Sequence, residues 1–457
     1  MWRAMRVAVG MIASLVAGCA VTDDTDQVAQ AVAAKGAETF VIGNHDPNKS
    51  APIDRKDPYF ASLGTNGRTC ESCHAEAAGW SVTPAYAQQR FAATHGTDPM
   101  FRPLDGTTSP NADVSTEAAR KTAYGMLLTK GLIRVGIGIP PNAEFRLVAV
   151  DDPYSYASAA QLSLFRRPLP VGNVAFLTTV MWDGRESTEP SAVDHDLTQQ
   201  ATDATLGHAQ AITANADQMA TISGFEQSLR YAQHDGGPAG PLDGDGATGG
   251  AKHLAKQEFY VGINDPLGGN PTGAPFDPHV FDLYDAWAPP AVPKLGPKEQ
   301  AQYAIYRGQQ LFNSKQFTIS GVKGLNDKLG VAEITGTCST CHDSPNLGNH
   351  SLPLALDIGI SDAAMRTPDM PLYTLENIAT GERIQTTDPG RALITGKWAD
   401  VNKFKGPILR GAVARPPYFH NGSAATLRDV VNYYDGRFSI GFTPQEIDDL
   451  VAFLQAL

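Results

Sequence analysis

The sequence predicts a mainly α protein built as two helical domains joined by a loop-rich insertion, and three observations predict it. Two copies of one motif stand far apart in the chain, Cys70-Glu71-Ser72-Cys73-His74 and Cys338-Ser339-Thr340-Cys341-His342. Apolar residues recur at helical spacing near both. Between them, from residue 234 to 295, glycine and proline dominate, with seven glycines in residues 236 to 250 alone. Such a run suits neither a regular helix nor a central strand.

The N-terminus reads as an address. Arg3 and Arg6 precede an apolar run from Val7 to Ala17, too short to span a bilayer but right for the core of an export signal. Val16-Ala17-Gly18-Cys19 resembles a bacterial lipobox, which makes residues 1–18 a lipoprotein signal peptide and Cys19 the lipidated residue. The plain alternative is a signal peptide cut near Ala20. An unpaired exported thiol favours lipidation, and Ala20 after the cysteine reads as an outer-membrane address. Small polar residues through 19–36 form a tether. The expected location is the periplasmic side of a bacterial membrane, with membrane contact only through a lipid anchor.

Residues 37–233 form the expected N-terminal domain and carry the first motif. In Cys-x-x-Cys-His, the thiols add across porphyrin vinyl groups and the adjacent histidine reaches the iron. Cys70, Cys73 and His74 therefore specify one covalently attached haem c, and Cys338, Cys341 and His342 a second. His74 and His342 are the proximal iron ligands. A zinc site or a dithiol pair is the alternative for a lone Cys-x-x-Cys, but it leaves the repeated histidine in an exported chain unexplained. The two domains are thus cytochrome c-like. Thr83-Pro84 opens a helix shortly after the first motif, by an N-cap followed by proline at the first helical position.

The insertion, 234–295, reads as ordered turns. Asp243-Gly244-Asp245-Gly246 hints at calcium, yet it lacks the full ligand spacing and a closing glutamate, so a plain turn is the better reading. The second domain, 296–457, opens with a helix over residues 298 to 313. It closes with the capping box Thr443-Pro444-Gln445-Glu446, followed by Ile447, Leu450, Val451, Leu454 and Leu457 at helical spacing. No convincing period-2 strand is visible.

Composition sets the remaining bounds. A chain of 457 residues with 42% hydrophobic content is long enough for two or three cores. A net charge of -12 argues against nucleic acid and against a basic membrane-binding patch. Four of the five cysteines are assigned to haem and the fifth to lipid, leaving none for a disulfide.

Further segments carry a resemblance. Trp182-Asp183-Gly184-Arg185 lies between the two motifs, and Pro417-Tyr418-Phe419-His420-Asn421-Gly422 follows the second. Thr387-Asp388-Pro389-Gly390-Arg391 and Phe404-Lys405-Gly406-Pro407-Ile408-Leu409-Arg410 add to them. Together they resemble the bacterial di-haem cytochrome c peroxidase superfamily, which includes MauG and the rubber oxygenases. The insertion lies outside the resemblance.

The resemblance implies roles. The N-terminal haem would meet peroxide, the C-terminal haem would store an electron, and Trp182 would mediate transfer; as a lone residue it would read as a core aromatic. Asp183 and Arg185 would form a local ion pair or touch haem propionates. The family's proton-transferring glutamate aligns with Gln210, whose neutral amide orients peroxide but cannot shuttle a proton. His208 is the substitute, as distal base or sixth ligand, against a bland surface or core histidine. Glu186 and Glu189 read as solvated charges. Tyr434 aligns with the sixth ligand of the second haem, where a phenolate would lower the potential. The packed neighbour Tyr433, and Met365, Met370 and His350, compete with it, and His420 reads as a pocket residue. A calcium ion between domains is a family feature without clear ligands here.

The functional expectation is an exported di-haem oxidoreductase that reduces hydrogen peroxide, or uses it to oxidise a partner, with a small redox protein as electron donor. One rival is an oxygenase-like enzyme that uses dioxygen. The other is a non-enzymatic electron-transfer cytochrome.

Overall fold

The computed structural model describes residues 36–188, 192–289 and 295–457. The signal segment, Cys19 and Glu189 lie outside the described residues. Strand Ala37–Gly43 pairs antiparallel with Leu229–Gln233, from Ala37↔Gln233 to Val41↔Leu229, and with Asp46–Ser50. Beneath this sheet Met219, Ile222 and Phe225 of helix Ala216–Ser228 share a core with Tyr59 and Trp80. That core carries the first motif on its edge, since Cys70 packs against it.

Helix Pro84–Thr94 begins where the sequence places it. The Thr83 side chain accepts the Tyr86 N–H, Pro84 occupies the first turn, and Ala87 and Phe91 are buried. In the C-terminal part, helix Pro297–Ser314 packs on helix Pro444–Gln455, which has the expected Thr443/Glu446 capping box. Their approach requires Gly308, because a Cβ there would stand 2.0 Å from the Asp449 carbonyl oxygen. Alongside it the Arg307 guanidinium holds the Asp449 carboxylate through two hydrogen bonds of 2.6 Å.

The glycine- and proline-rich segment does not stand apart from this pair of helices. Leu242, Val280, Phe281, Tyr284 and Trp287 share one core with Ile305, Phe312, Leu450 and Phe453. Side chains of this size contribute about 1.5–3 kcal/mol each when fully buried. The Tyr284 hydroxyl donates to the Ala456 carbonyl at 2.5 Å. Asp245, of the turn weighed above as a calcium site, is engaged by Lys298 at 2.6 Å and by Gln302 at 2.8 Å.

The expectation of no convincing strand is corrected. Twelve short strands occur among the described residues. Leu372–Asn377 lies between Arg383–Thr386 and Phe145–Asp151, so residues on opposite sides of the insertion share one sheet. Their periodicity is weak for physical reasons. Leu162–Arg166 is buried along its whole length, Phe145–Asp151 is mostly exposed, and the register shifts between Thr374 and Leu375. A strand without one wet and one dry face leaves no period-2 signature. Helix and strand are therefore mixed more evenly than the mainly α expectation allowed.

Candidate functional site

The second motif opens as a tight turn, Cys338–Thr340, closed by the Thr337 N–H donating to Thr340 Oγ1 at 3.0 Å. The His342 N–H then donates to the Cys338 carbonyl at 3.1 Å, which sets the histidine beside both thiols. His342 Nδ1 lies 2.6 Å from the Gly348 carbonyl oxygen. A carbonyl only accepts, so Nδ1 carries the proton and Nε2 keeps the lone pair a metal needs. Burial pushes the ring pKa down, which keeps it neutral.

Cys338, Cys341 and His342 line a cavity of about 260 Å³ whose wall is mostly apolar. Trp182, His350, His420 and Tyr434 share this wall. The neighbouring tyrosines part ways here: the Tyr433 hydroxyl donates to the Ile358 carbonyl at 2.5 Å, whereas Tyr434 faces the cavity from helix Leu427–Phe438. His350 stacks parallel to His342 with ring centroids 6.5 Å apart. Met370 is instead packed with Met126, Leu132 and Phe165, and Met365 is not in the cavity wall.

The segments flanking Trp182 converge on it. Trp182 Nε1 donates to the Arg167 carbonyl at 2.7 Å, and its own carbonyl accepts the Lys405 N–H at 2.9 Å. The Arg167 N–H donates to the His420 carbonyl at 2.7 Å, and the His420 ring stacks on Phe404. Below them Arg166, fully buried, binds Asp388 through two hydrogen bonds of 2.6 and 2.9 Å and pairs with Asp183. Asp183 is thus held by Arg166 and, at 3.2 Å, by Arg185. Arg166 carries no motif of its own, and nothing in its local sequence marks it as the partner of two distant aspartates.

The first motif has the same local design. Thr69 and Ser72 form a capping box around Cys70–Ser72, and the His74 N–H donates to the Cys70 carbonyl at 3.0 Å. The Tyr59 hydroxyl fixes the His74 carbonyl at 2.6 Å. His74 Nδ1 is buried without a hydrogen-bond partner, and burial followed by the nearby His208 pushes the ring pKa down to about 4. His208 follows helix Val193–Gly207. Its Nδ1 lies 2.5 Å from Asp105 Oδ2, and Arg68 grips both Asp105 oxygens at 2.6 and 2.7 Å.

Gln210 is exposed, and its side-chain oxygen accepts from Asn66 at 3.3 Å. Glu186, expected as a solvated charge, has a side chain only 11% exposed. Burial, then the charge of Asp203, pushes its carboxyl up to about 7. Asp105 and Arg68 were not singled out by sequence; Arg68 stands close before Cys70, but the carboxylate it holds lies in a loop with no signal of its own.

These residues fit haem c at both motifs: thiols outside any disulfide, histidine rings held neutral by burial, and at the second motif an apolar cavity. Among the described residues no group of three or more His, Cys, Asp or Glu is placed to hold a bare metal ion, so calcium gains no ligand set from them. No helix among them is long and apolar enough to cross a membrane.

No protein-family model matches the chain. Part of it is similar to a cytochrome c peroxidase of Pseudomonas sp. strain SCT, 32% identical over 154 residues, which are 29% of this chain and 40% of that protein. It is also similar to a cytochrome c551 peroxidase of Nitrosomonas europaea, 32% identical over 124 residues, 26% of this chain and 30% of that protein. The chain thus spans less than half the length of these relatives. A solved MauG-like protein associated with microbial copper homeostasis aligns with 91% of this chain and 94% of its own at 16% identity and a TM-score of 0.39.

Proposed function

We propose that the chain is an exported c-type di-haem oxidoreductase of the peroxidase kind, which reduces hydrogen peroxide or uses it to oxidise a partner. The observation that carries this reading is the largely apolar cavity where Cys338, Cys341 and His342 meet Trp182 and Tyr434. When bound, the haems supply one-electron chemistry and an iron position for the oxidant. The chain does the rest. Trp182 is pinned at Nε1 and at its carbonyl, so its indole keeps a fixed place for relaying electrons between the two sites. His208, with Nδ1 directed to Asp105, leaves Nε2 to hold or move a proton in place of the family's glutamate. A small redox protein supplies electrons, and Cys19 anchors the chain by lipid on the periplasmic side of the outer membrane.

His350 gives a specific basis for a second reading. It faces the same cavity as His342 with its ring parallel, so a histidine on both faces of the second haem, together with His208 on the first, would make an electron carrier. Ferric spectra decide between them. A high-spin haem with peroxide turnover is expected; two low-spin haems without turnover would replace the enzyme by the carrier, and a stable oxy complex without peroxide turnover would favour dioxygen as substrate. Cys19→Ser is expected to release the chain from membranes or block its processing, and an unchanged membrane fraction of processed protein would remove the anchor.

A further inference from the structure

The cavity beside the second motif has a charge imbalance. Three cationic side chains line it, Arg167, Lys405 and Arg415, and its wall contains no aspartate or glutamate. All three are buried, with 5%, 6% and 9% of their surface exposed. The Arg167 guanidinium donates only to the carbonyls of Lys130 and Val82, and that of Arg415 only to those of Ile408 and Arg410. The Lys405 ammonium makes no hydrogen bond or ion pair with the described residues. Asp183 and Asp388, in the segments around Trp182 and His420, are both taken by Arg166.

A buried charge without a counter-charge is strongly disfavoured. Burial pushes Lys405 down to about 7 and Arg167 down to about 9. Three such groups on one wall make a site matched to an anion, which restores their charged forms.

We propose that Arg167, Lys405 and Arg415 form the carboxylate site that receives the two propionates of the haem attached at Cys338 and Cys341. This rests on haem attachment there. The Arg415 stem also packs on Gly79, five residues after the first motif, where an added Cβ would stand 2.7 Å from its Cγ. Three cations facing two carboxylates leave one positive charge in excess, which favours the ferrous form of the second haem. The cluster therefore opposes the lowering of potential that a Tyr434 phenolate would impose.

Lys405→Met is the clean test, because Lys405 has no protein partner to lose and its backbone bond to Trp182 is kept. Haem-loaded parent, Lys405→Met and Lys405→Arg are compared by haem content after denaturation, redox titration and the propionate bending bands in resonance Raman spectra. With two haems retained in each, Lys405→Met is expected to shift a propionate band and lower the potential of the second haem, and Lys405→Arg to restore the potential toward the parent. A propionate spectrum unmoved by Lys405→Met in a chain that holds both haems overturns the carboxylate site alone. A parent chain with no haem on Cys338 and Cys341 overturns it together with the haem reading.

Discussion

His208 and Asp105 are joined by a hydrogen bond of 2.5 Å between ring and carboxylate, although more than a hundred residues separate them. The carboxylate is itself held by Arg68, and the His208 carbonyl accepts from Asn66 and Arg68 at 2.8 and 3.2 Å. The histidine is therefore tied at both ends to the segment that leads into Cys70. His208→Ala is expected to slow the reaction of peroxide with the ferric protein by about 10²- to 10⁴-fold, the usual contribution of a placed acid-base group. Asp105→Asn should move the rate in the same direction. Stopped-flow absorbance checks both, with Gln210→Glu as the control: a rise there with a silent His208→Ala assigns the proton to position 210.

The same pair has a stability signature. Burial alone would raise the Asp105 carboxyl, but the His208 hydrogen bond and the Arg68 charge outweigh it and hold it well below the usual carboxylate range. A depressed carboxyl stabilises the fold above its unfolded pKa of about 3.9, and the contribution is lost as pH falls below that toward the folded value. Asp105→Ala leaves the buried Arg68 guanidinium unpaired, so a cost of about 3–5 kcal/mol is expected at pH 7. Urea unfolding at pH 7 and at pH 3 checks this, with the difference between parent and variant narrowing at the lower pH.

Glu226 behaves in the opposite sense. It is buried beside Tyr59, and burial, then the charge of Asp57, pushes its carboxyl up to about 8. A raised carboxyl leaves stability intact below the unfolded pKa of about 4.3 and removes it as pH rises toward the folded value, by roughly 1.4 kcal/mol per pH unit. Glu226→Gln is expected to gain stability over the parent between pH 5 and pH 8. Melting temperatures that differ equally at both pH values would place the carboxyl elsewhere.

Tyr434 and Tyr433 provide a paired test. Tyr433 has its hydroxyl on the Ile358 carbonyl, while Tyr434 faces the cavity with its phenol pushed up by burial. Binding to ferric iron would reverse that cost. Tyr434→Phe is expected to change the ferric absorption and raise the potential of one haem, with Tyr433→Phe costing only about 0.5–1.5 kcal/mol of stability for its lost hydrogen bond. An unchanged spectrum in Tyr434→Phe, with a change on removing the His350 ring, would move the sixth ligand to His350.

The parts legible in the sequence are those whose information is local. The Thr83-Pro84 start and the Thr443/Glu446 box each lie within a few residues and open the helices they specify, and each Cys-x-x-Cys-His folds as one tight local turn. The missed parts are long-range pairings. Arg166 with Asp388, Asp105 with His208, and strand Phe145–Asp151 with Leu372–Asn377 each join segments far apart, and no local pattern announces the partner. Glu186 differs from a solvated charge for a related reason, since its side chain is only 11% exposed and feels the charge of Asp203, a helix residue seventeen positions on.

Trp182 is the residue through which both kinds of information meet. Its motif is local, but its position comes from Arg167, Lys405 and His420, with the His420 ring 6.1 Å away. Trp182→Phe removes the donor to the Arg167 carbonyl and leaves that buried acceptor unpaired, a loss of about 1–3 kcal/mol. It also replaces the indole by a ring that is harder to oxidise. Haem content is therefore expected to persist while electron exchange between the haems slows, as measured by flash reduction of one haem and absorbance of the other. Equal exchange rates in parent and variant, with the stability loss present, would return Trp182 to a packing role and route the electrons past it.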